Sequence, residues 1–203
     1  MCLRPSVDGL THPKCMTAYS IDGVIPVVLY RKTVKKLIYQ LKYAPYLSSL
    51  DKTIGEIMAE GLAQNESFHA FISKFDPILI PIPLSKKRLK ERGYNHAQLL
   101  ASYVAQYFNL KINNSLLLRK KDTKPQYKLS KKERIKNILG AFEVNKNVNL
   151  PQNVTFPKSV TFPKSIILVD DIATTFATLK EATKVLKRRG VKNVIGITFA
   201  KEG

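Results

Sequence analysis

The chain has 203 residues, 44% of them hydrophobic, which suffices for one buried core without a second large domain. No apolar run approaches the ~20 residues of a membrane-spanning helix, and no charged-then-apolar leader opens the sequence, so we exclude a membrane span and expect a cytoplasmic location. The 34 Lys and Arg residues against 15 Asp and Glu give a formal charge of +19, which favours polyanionic partners without specifying them.

The N-terminal stretch holds three potential zinc ligands, Cys2, His12 and Cys15. The last two are spaced like half of a zinc knuckle, but a closed structural site needs four ligands. We therefore predict that residues 1–20 are the remnant of a zinc-knuckle-like segment. Bound Zn²⁺ and ordinary cytosolic thiols are both open alternatives, and a disulfide is the less favoured one.

The first half of the chain is predicted to contain three helices and one buried strand. Apolar residues recur at helical spacing over residues 33–43, 51–64 and 97–107. Residues 78–82 form a short apolar run that is typical of a strand covered on both faces. This alternation predicts a chain of the α/β class.

A basic cluster at residues 86–92 follows that strand. Arg88 and Arg92 are its strongest candidates for phosphate binding, because the planar guanidinium group matches phosphate oxygens in a bidentate manner. The alternative for the neighbouring lysines is a solvated, basic helix start.

A second basic run, residues 119–128, lacks hydrophobic periodicity and is predicted to be an exposed loop. Ser130 and Glu133 have the spacing of a capping box, which predicts that a helix begins there. The apolar face of that helix is predicted to consist of Ile135, Ile138 and Leu139.

Residues 145–164 contain three prolines and part of a tandem repeat, residues 154–159 and 160–165. Two copies are too few for a solenoid, which needs about three units. We therefore interpret the stretch as a loop insertion whose second copy leads into the next strand.

The C-terminal part is predicted to be one βαβ unit. Residues 165–169 are a short run rich in β-branched residues, and residues 191–200 are a second strand. Between them, Thr178 and Glu181 have capping-box spacing and open a helix over residues 178–189.

The connection between the first strand and this helix carries the chemistry. Asp170 and Asp171 offer acceptors for the two vicinal hydroxyls of a ribose. Free amides at the helix start suit a phosphate monoester. The hydroxyl groups of Thr174, Thr175 and Thr178 add donors. The alternative is that these residues only end a strand and cap a helix, but at the carboxyl end of a parallel strand they predict a sugar-phosphate site.

Residues 169–178 resemble the phosphoribosyl-pyrophosphate signature of type I phosphoribosyltransferases. The resemblance implies an α/β, type I phosphoribosyltransferase-like fold over residues 21–203, with a central, mostly parallel sheet flanked by helices. Other blocks resemble one branch, the ComF-like family named for competence and DNA uptake; these blocks lie at residues 41–43, 81–101, 119–137 and 141–144.

The resemblance also implies a reaction, in which pyrophosphate leaves the anomeric carbon of phosphoribosyl pyrophosphate in the presence of Mg²⁺ and an acceptor takes its place. Asp170 and Asp171 then correspond to the catalytic carboxylates, and Arg88 and Arg92 to the pyrophosphate-side loop. The implied phosphate-binding residues are Ala173, Thr174, Thr175, Phe176, Ala177 and Thr178.

Two further segments have counterparts in the family. Type I phosphoribosyltransferases close a flexible loop over the reacting sugar, and ComF-like proteins often carry a four-ligand zinc module at the N-terminus. In this chain the loop residues either contact substrate or support the fold; they are Gln126, Arg134 and Asn137.

Phe176 departs from the family pattern, which has glycine or another very small residue at this place. Glycine accepts a positive φ and lets the backbone approach a ligand closely. A benzyl group either points away and leaves the amides accessible, or occupies part of the site and weakens it.

Three hypotheses for the function follow. The first is a Mg²⁺-dependent phosphoribosyltransferase with an unidentified acceptor. The second is a module that binds single-stranded DNA or DNA-uptake proteins through its basic charge, and the third is a nucleotide sensor that has lost turnover through Phe176. The acceptor and the oligomeric state have no readable signal in the sequence.

Overall fold

The computed structural model describes residues 9–43, 48–123, 129–145 and 162–202. Within these ranges, five parallel strands form the central sheet, and a small antiparallel pair lies beside it. The strands are β1 (Gly23–Leu29), β2 (Ile78–Pro81), β3 (Lys111–Ile112), β4 (Leu117–Arg119), β5 (Phe142–Val144), β6 (Ser165–Ala173) and β7 (Asn193–Lys201). The helices are α1 (Lys32–Tyr43), α2 (Ser48–Ala63), α3 (Glu66–Phe75), α4 (Lys86–Arg92), α5 (His96–Phe108), α6 (Lys131–Ile138) and α7 (Ala177–Lys187).

The central sheet has the strand order β1-β7-β6-β2-β3, and each of its neighbouring pairs is parallel. Helices cover both of its faces, so the predicted fold class is confirmed. The architecture is consistent with a type I phosphoribosyltransferase-like fold. Among the described residues, no helix is long and apolar enough to cross a membrane.

Strand β6 lies at the centre and is buried on both faces. Ile167 and Val169 pack into a core with α1, α2, α3 and α5, whereas Ile166 and Leu168 pack into a second core with α7 and the β4-β5 pair. Successive side chains of a strand point to opposite faces, which is why one apolar run supplies both cores. The predicted helices in the first half correspond to α1, α2 and α5, and α3 is an additional helix that the sequence analysis missed.

Some local predictions need correction. Strand β6 continues through the acidic residues to Ala173, because β7 goes on pairing with it as far as Lys201. The predicted Thr178–Glu181 capping box is wrong: α7 begins at Ala177 after Phe176, and the Glu181 carboxylate accepts a hydrogen bond from the Gly140 amide at 2.8 Å.

Helix α6 begins as predicted. Ser130 and Glu133 form a reciprocal capping box, in which each side chain accepts a hydrogen bond from the other residue's backbone amide. Its predicted apolar face is only partly correct, because Ile138 is buried but Ile135 and Leu139 remain 50% and 47% exposed.

The chain leaves β2 and β6 in opposite directions. From β2 it runs through α4 and α5 to β3 on one side, and from β6 it runs through α7 to β7 on the other. The β2-β6 ladder ends where the Ile82 amide donates to the Val169 carbonyl at 2.9 Å. Beyond this point the two carboxyl ends diverge, and such a switch point is where open α/β sheets bind ligands.

One predicted segment lies largely outside the described residues, and a second lies partly outside them. The tandem repeat falls there except for its last few positions, of which Phe162 packs partly against the second core. The described part of the N-terminal stretch is joined to the sheet by a bridge between Leu10 and Gly23 and by a 2.6 Å hydrogen bond from the Thr11 hydroxyl to the Ile21 carbonyl. The predicted boundaries of both segments stay predictions.

Candidate functional site

The two acidic residues at the end of β6 point to opposite faces of the sheet, because β6 stays extended there. Asp171 faces α1 and α5 and is only 3% exposed. Its Oδ2 atom lies 2.5 Å from Lys42 Nζ, and its Oδ1 atom lies 3.6 Å from His96 Nε2. The sequence analysis did not identify Lys42 and His96 as site residues.

Asp171 is held in its ionised form. Burial alone would raise the pKa of this carboxyl, but Lys42 and His96 together bring it well below its usual range. Burial lowers the pKa of the His96 imidazole, despite the neighbouring Asp171. Arg92 Nη1 lies 3.4 Å from His96 Nδ1. Since a guanidinium group can only donate, the neutral ring carries its proton on Nε2, facing Asp171.

Asp170 faces the other side and lines a small pocket together with Ala173, Thr174 and the first residues of α7. Its Oδ1 atom accepts a hydrogen bond from the Asp171 amide at 2.9 Å. Burial, and next to it the charge of Asp171, raise the pKa of Asp170 well above its usual range. The two adjacent carboxyl groups therefore differ in both direction and proton affinity.

The turn between β6 and α7 forms the rest of this pocket. Phe176 precedes α7 in the left-handed conformation, with φ 57° and ψ 10°, and its ring packs partly against the second core. The Thr175 hydroxyl is buried and has no hydrogen-bond partner among the described residues. First-turn amides of a helix lack intrahelical acceptors, and the benzyl group of Phe176 cannot cap them. The positive end of the α7 dipole lies at this turn, where it would stabilise an anion.

Arginine side chains gather on the β2 side of the crevice. Arg88, in α4, donates from Nη2 to the Thr123 carbonyl at 2.6 Å, and Arg119, at the end of β4, donates to the Thr123 hydroxyl. Burial and the nearby Arg88 lower the pKa of Arg119 to about 10, with Arg92 adding to the effect and Asp170 opposing it. The positive charges of Arg88 and Arg92 disfavour the charged form of Arg119, so an anion bound near these groups would be stabilised.

The other predicted site residues lie in different surroundings. Arg134, in α6, donates from Nη1 to Glu202 at 3.0 Å and from Nε to the Leu129 carbonyl at 3.0 Å. Asn137 is partly buried on the same helix, and Gln126 lies outside the described residues. Glu202 follows β7, so Arg134 fastens α6 to the carboxyl edge of the sheet.

The zinc prediction is left open by the described residues. His12 and Cys15 flank the 3-10 turn Pro13–Cys15, and Cys2 lies outside the described ranges. Within those ranges there is no group of three or more His, Cys, Asp or Glu side chains that could hold a metal ion.

No family model matches the chain. It is 29% identical over 175 residues to Competence protein F of Haemophilus influenzae, a match that covers 86% of this chain and 71% of that protein. The chain is similar to ComF-like proteins.

Two other relatives match a smaller part of this chain. Competence protein ComFC of Bacillus subtilis is 29% identical over 157 residues, which is 71% of this chain and 56% of the relative. DNA utilization protein YhgH of Escherichia coli O157:H7 is 26% identical over 116 residues, which is 57% of this chain and 45% of the relative. The ComF-like chain thus spans about half the length of these two relatives.

The backbone at Phe176 gives a first prediction. Replacement by Gly and replacement by Ala both remove the benzyl group, but only Gly adopts the left-handed conformation without steric cost. We expect Phe176→Gly to be more stable than Phe176→Ala by about 1 kcal/mol in chemical unfolding. Equal stabilities, or a more stable Ala variant, would contradict a left-handed residue at this place.

The ion pair between Lys42 and Asp171 gives a second prediction. Lys42→Met leaves a buried carboxylate without its cation, which should lower the free energy of unfolding near neutral pH by about 3 kcal/mol. The folded pKa of Asp171 lies below its unfolded value of about 3.9, so the stabilisation is present above that value and is lost as the pH falls through the folded pKa.

The deficit of Lys42→Met should therefore shrink as the pH is lowered from neutral, because the carboxyl of the variant protonates. Lys36→Met, which removes an exposed lysine of the same helix, serves as the matched control and should show a small difference at each pH. A deficit in Lys42→Met that does not change with pH would be evidence against the ion pair.

Proposed function

We propose that this ComF-like chain binds phosphoribosyl pyrophosphate with Mg²⁺ in the crevice between the carboxyl ends of β2 and β6, and transfers the phosphoribosyl group to an unidentified acceptor. The observation that carries the proposal is the set of charged and polar groups at this switch point. Asp170 and the start of α7 line a pocket there, and the charges of Arg88, Arg92 and Asp170 all affect the pKa of Arg119.

The residues present suit the proposed ligand. The start of α7 would hold the 5′-phosphate. The Thr175 hydroxyl, which has no hydrogen-bond partner among the described residues, would be a further donor at this turn. Asp170 would accept hydrogen bonds from ribose hydroxyls, and the arginine side chains would neutralise the pyrophosphate. Bound Mg²⁺ would supply further neutralisation of the leaving pyrophosphate.

The proposed reaction needs no protein nucleophile. Pyrophosphate leaves the anomeric carbon, the acceptor bonds to that carbon, and positive charge develops on the ribose in between. The chain would contribute orientation and a fixed electrostatic field, which can lower a barrier substantially when the charged groups are held in advance. The arginine groups that favour the departing anion are already gathered before any ligand binds.

The biological setting is part of the proposal. Relatives carry the names Competence protein F and DNA utilization protein, which support a connection with DNA uptake. The formal charge of +19 suits a protein that works near nucleic acid.

A second candidate is nucleotide binding without turnover, and Phe176 is the observation that favours it. Phe176 lines the pocket at the turn where the family normally has a very small residue. Measurable pyrophosphate release by Phe176→Gly with none by the wild type would favour this second candidate. Turnover by the wild type would reject it.

The proposal predicts that Asp170→Asn binds phosphoribosyl pyrophosphate more weakly than the wild type. A lost hydrogen bond to a charged acceptor is worth about 1.5 to 3 kcal/mol, so the dissociation constant should rise by at least about tenfold. Calorimetric titration with Mg²⁺ present, at fixed salt, measures this directly.

Asp76→Asn is the matched control for this titration. Asp76 is an exposed aspartate that precedes β2 at the opposite edge of the sheet, and its left-handed backbone suits Asn. Its variant should bind like the wild type. Absence of saturable binding to the folded wild type, or equal affinity in Asp170→Asn, would refute the proposed site.

A further inference from the structure

We infer that Asp171 is a positioning residue that joins α1, α5 and the pyrophosphate-side helix α4 to strand β6 through Lys42, His96 and Arg92, and that Asp170 alone of the two acids contacts the ligand. The inference rests on the proposed function and deepens it, because it gives the two neighbouring carboxylates separate tasks.

The two carboxylates differ in their accessibility. Asp170 lines the pocket at the turn, whereas Asp171 is 3% exposed and is not among the described residues that line it. Both oxygens of Asp171 already have a neighbour, Lys42 at Oδ2 and His96 at Oδ1. A ribose hydroxyl could reach Asp171 only by displacing one of these groups.

The contact with Lys42 joins the end of α1 to β6. Lys42 lies in the last turn of α1, and the Tyr94 hydroxyl donates to the carbonyl of the adjacent Leu41. Tyr94 belongs to the short connection between α4 and α5. The end of α1 is therefore fastened both to β6, through Asp171, and to the segment that carries Arg92.

Arg92 is linked to Asp171 through His96. Its guanidinium group contacts His96 Nδ1, and the other ring nitrogen faces Asp171. His96 is 3% exposed at the start of α5, so its ring has little room to reorient. The distance between Arg92 and the strand that carries Asp170 is thus set through the ring of His96 and the carboxylate of Asp171.

The ion pair also makes electrostatic sense without a ligand. An isolated buried carboxylate is costly, whereas Lys42 neutralises Asp171 in the free protein. The ammonium nitrogen of Lys42 lies 2.5 Å from Oδ2, so it neutralises the buried carboxylate directly. Removal of Lys42 should therefore be more harmful than removal of the charge on Asp171. Lys42→Met leaves a buried carboxylate without its cation, whereas the lysine left by Asp171→Asn is partly exposed and can turn to solvent.

A double-mutant cycle tests the inference. Phosphoribosyl pyrophosphate with Mg²⁺ is titrated into the wild type, Lys42→Met, Asp171→Asn and the double variant, at a temperature where unfolding scans show each to be folded. We expect Lys42→Met to bind more weakly than Asp171→Asn, and the addition of Asp171→Asn to Lys42→Met to restore affinity by about tenfold.

Two variants serve as controls. Lys42→Arg keeps the cation and should bind within about threefold of the wild type, a difference of less than 1 kcal/mol. Lys36→Met removes a lysine of the same helix and should leave affinity unchanged. If Asp171 contacts the ligand directly, Asp171→Asn will lose as much affinity as Asp170→Asn, and the double variant will be no better than Lys42→Met. That result overturns the inference.

The cycle remains decisive if one variant does not fold. Should Lys42→Met fail to fold, the single variants Asp170→Asn and Asp171→Asn decide: greater retained affinity in Asp171→Asn supports the inference, and the reverse order overturns it. Absence of binding to the folded wild type rejects the proposed function. In that case the free energies of unfolding of the same four proteins test the link between Lys42 and Asp171. The link is supported if Asp171→Asn restores stability to Lys42→Met, and it is refuted if the two losses of stability add.

Discussion

Strand β6 stays extended through Asp170 and Asp171, and the organisation of the site depends on this geometry. An extended strand must send neighbouring side chains to opposite faces, so one carboxylate enters the core side of α1 and α5 and the other enters the pocket before α7. Continued pairing with β7 therefore separates the buried carboxylate of Asp171 from the more accessible one of Asp170.

The charges near the crevice follow from this separation. Lys42 neutralises Asp171 inside the protein, whereas the guanidinium groups on the β2 side outnumber the acids that face them. Arg119 shows the consequence, because repulsion from Arg88 adds to burial in lowering its pKa to about 10. A site with surplus cations at a helix start is suited to a polyanion such as phosphoribosyl pyrophosphate.

The sequence predicted best those features that depend on residues close together in the chain. The run of residues 165–169 identified the central strand, since β-branched runs of that length are typical of parallel sheets. Lys42 and His96 were missed because their partner is distant in the sequence and no local spacing signals the contact. Glu181 gave a false capping box because a tertiary contact with Gly140 takes its carboxylate. Helix α3 could have been found, since its apolar residues recur at helical spacing.

The central claim is that the crevice between β2 and β6 is the ligand site, and a crystal structure of the protein grown with phosphoribosyl pyrophosphate and Mg²⁺ tests it most directly. The account predicts density for a 5′-phosphate at the start of α7, ribose beside Asp170 and pyrophosphate towards Arg88 and Arg119, with Asp171 still paired to Lys42. Ligand density elsewhere on the protein, or contact between the ribose and Asp171 with Lys42 displaced, would contradict the account.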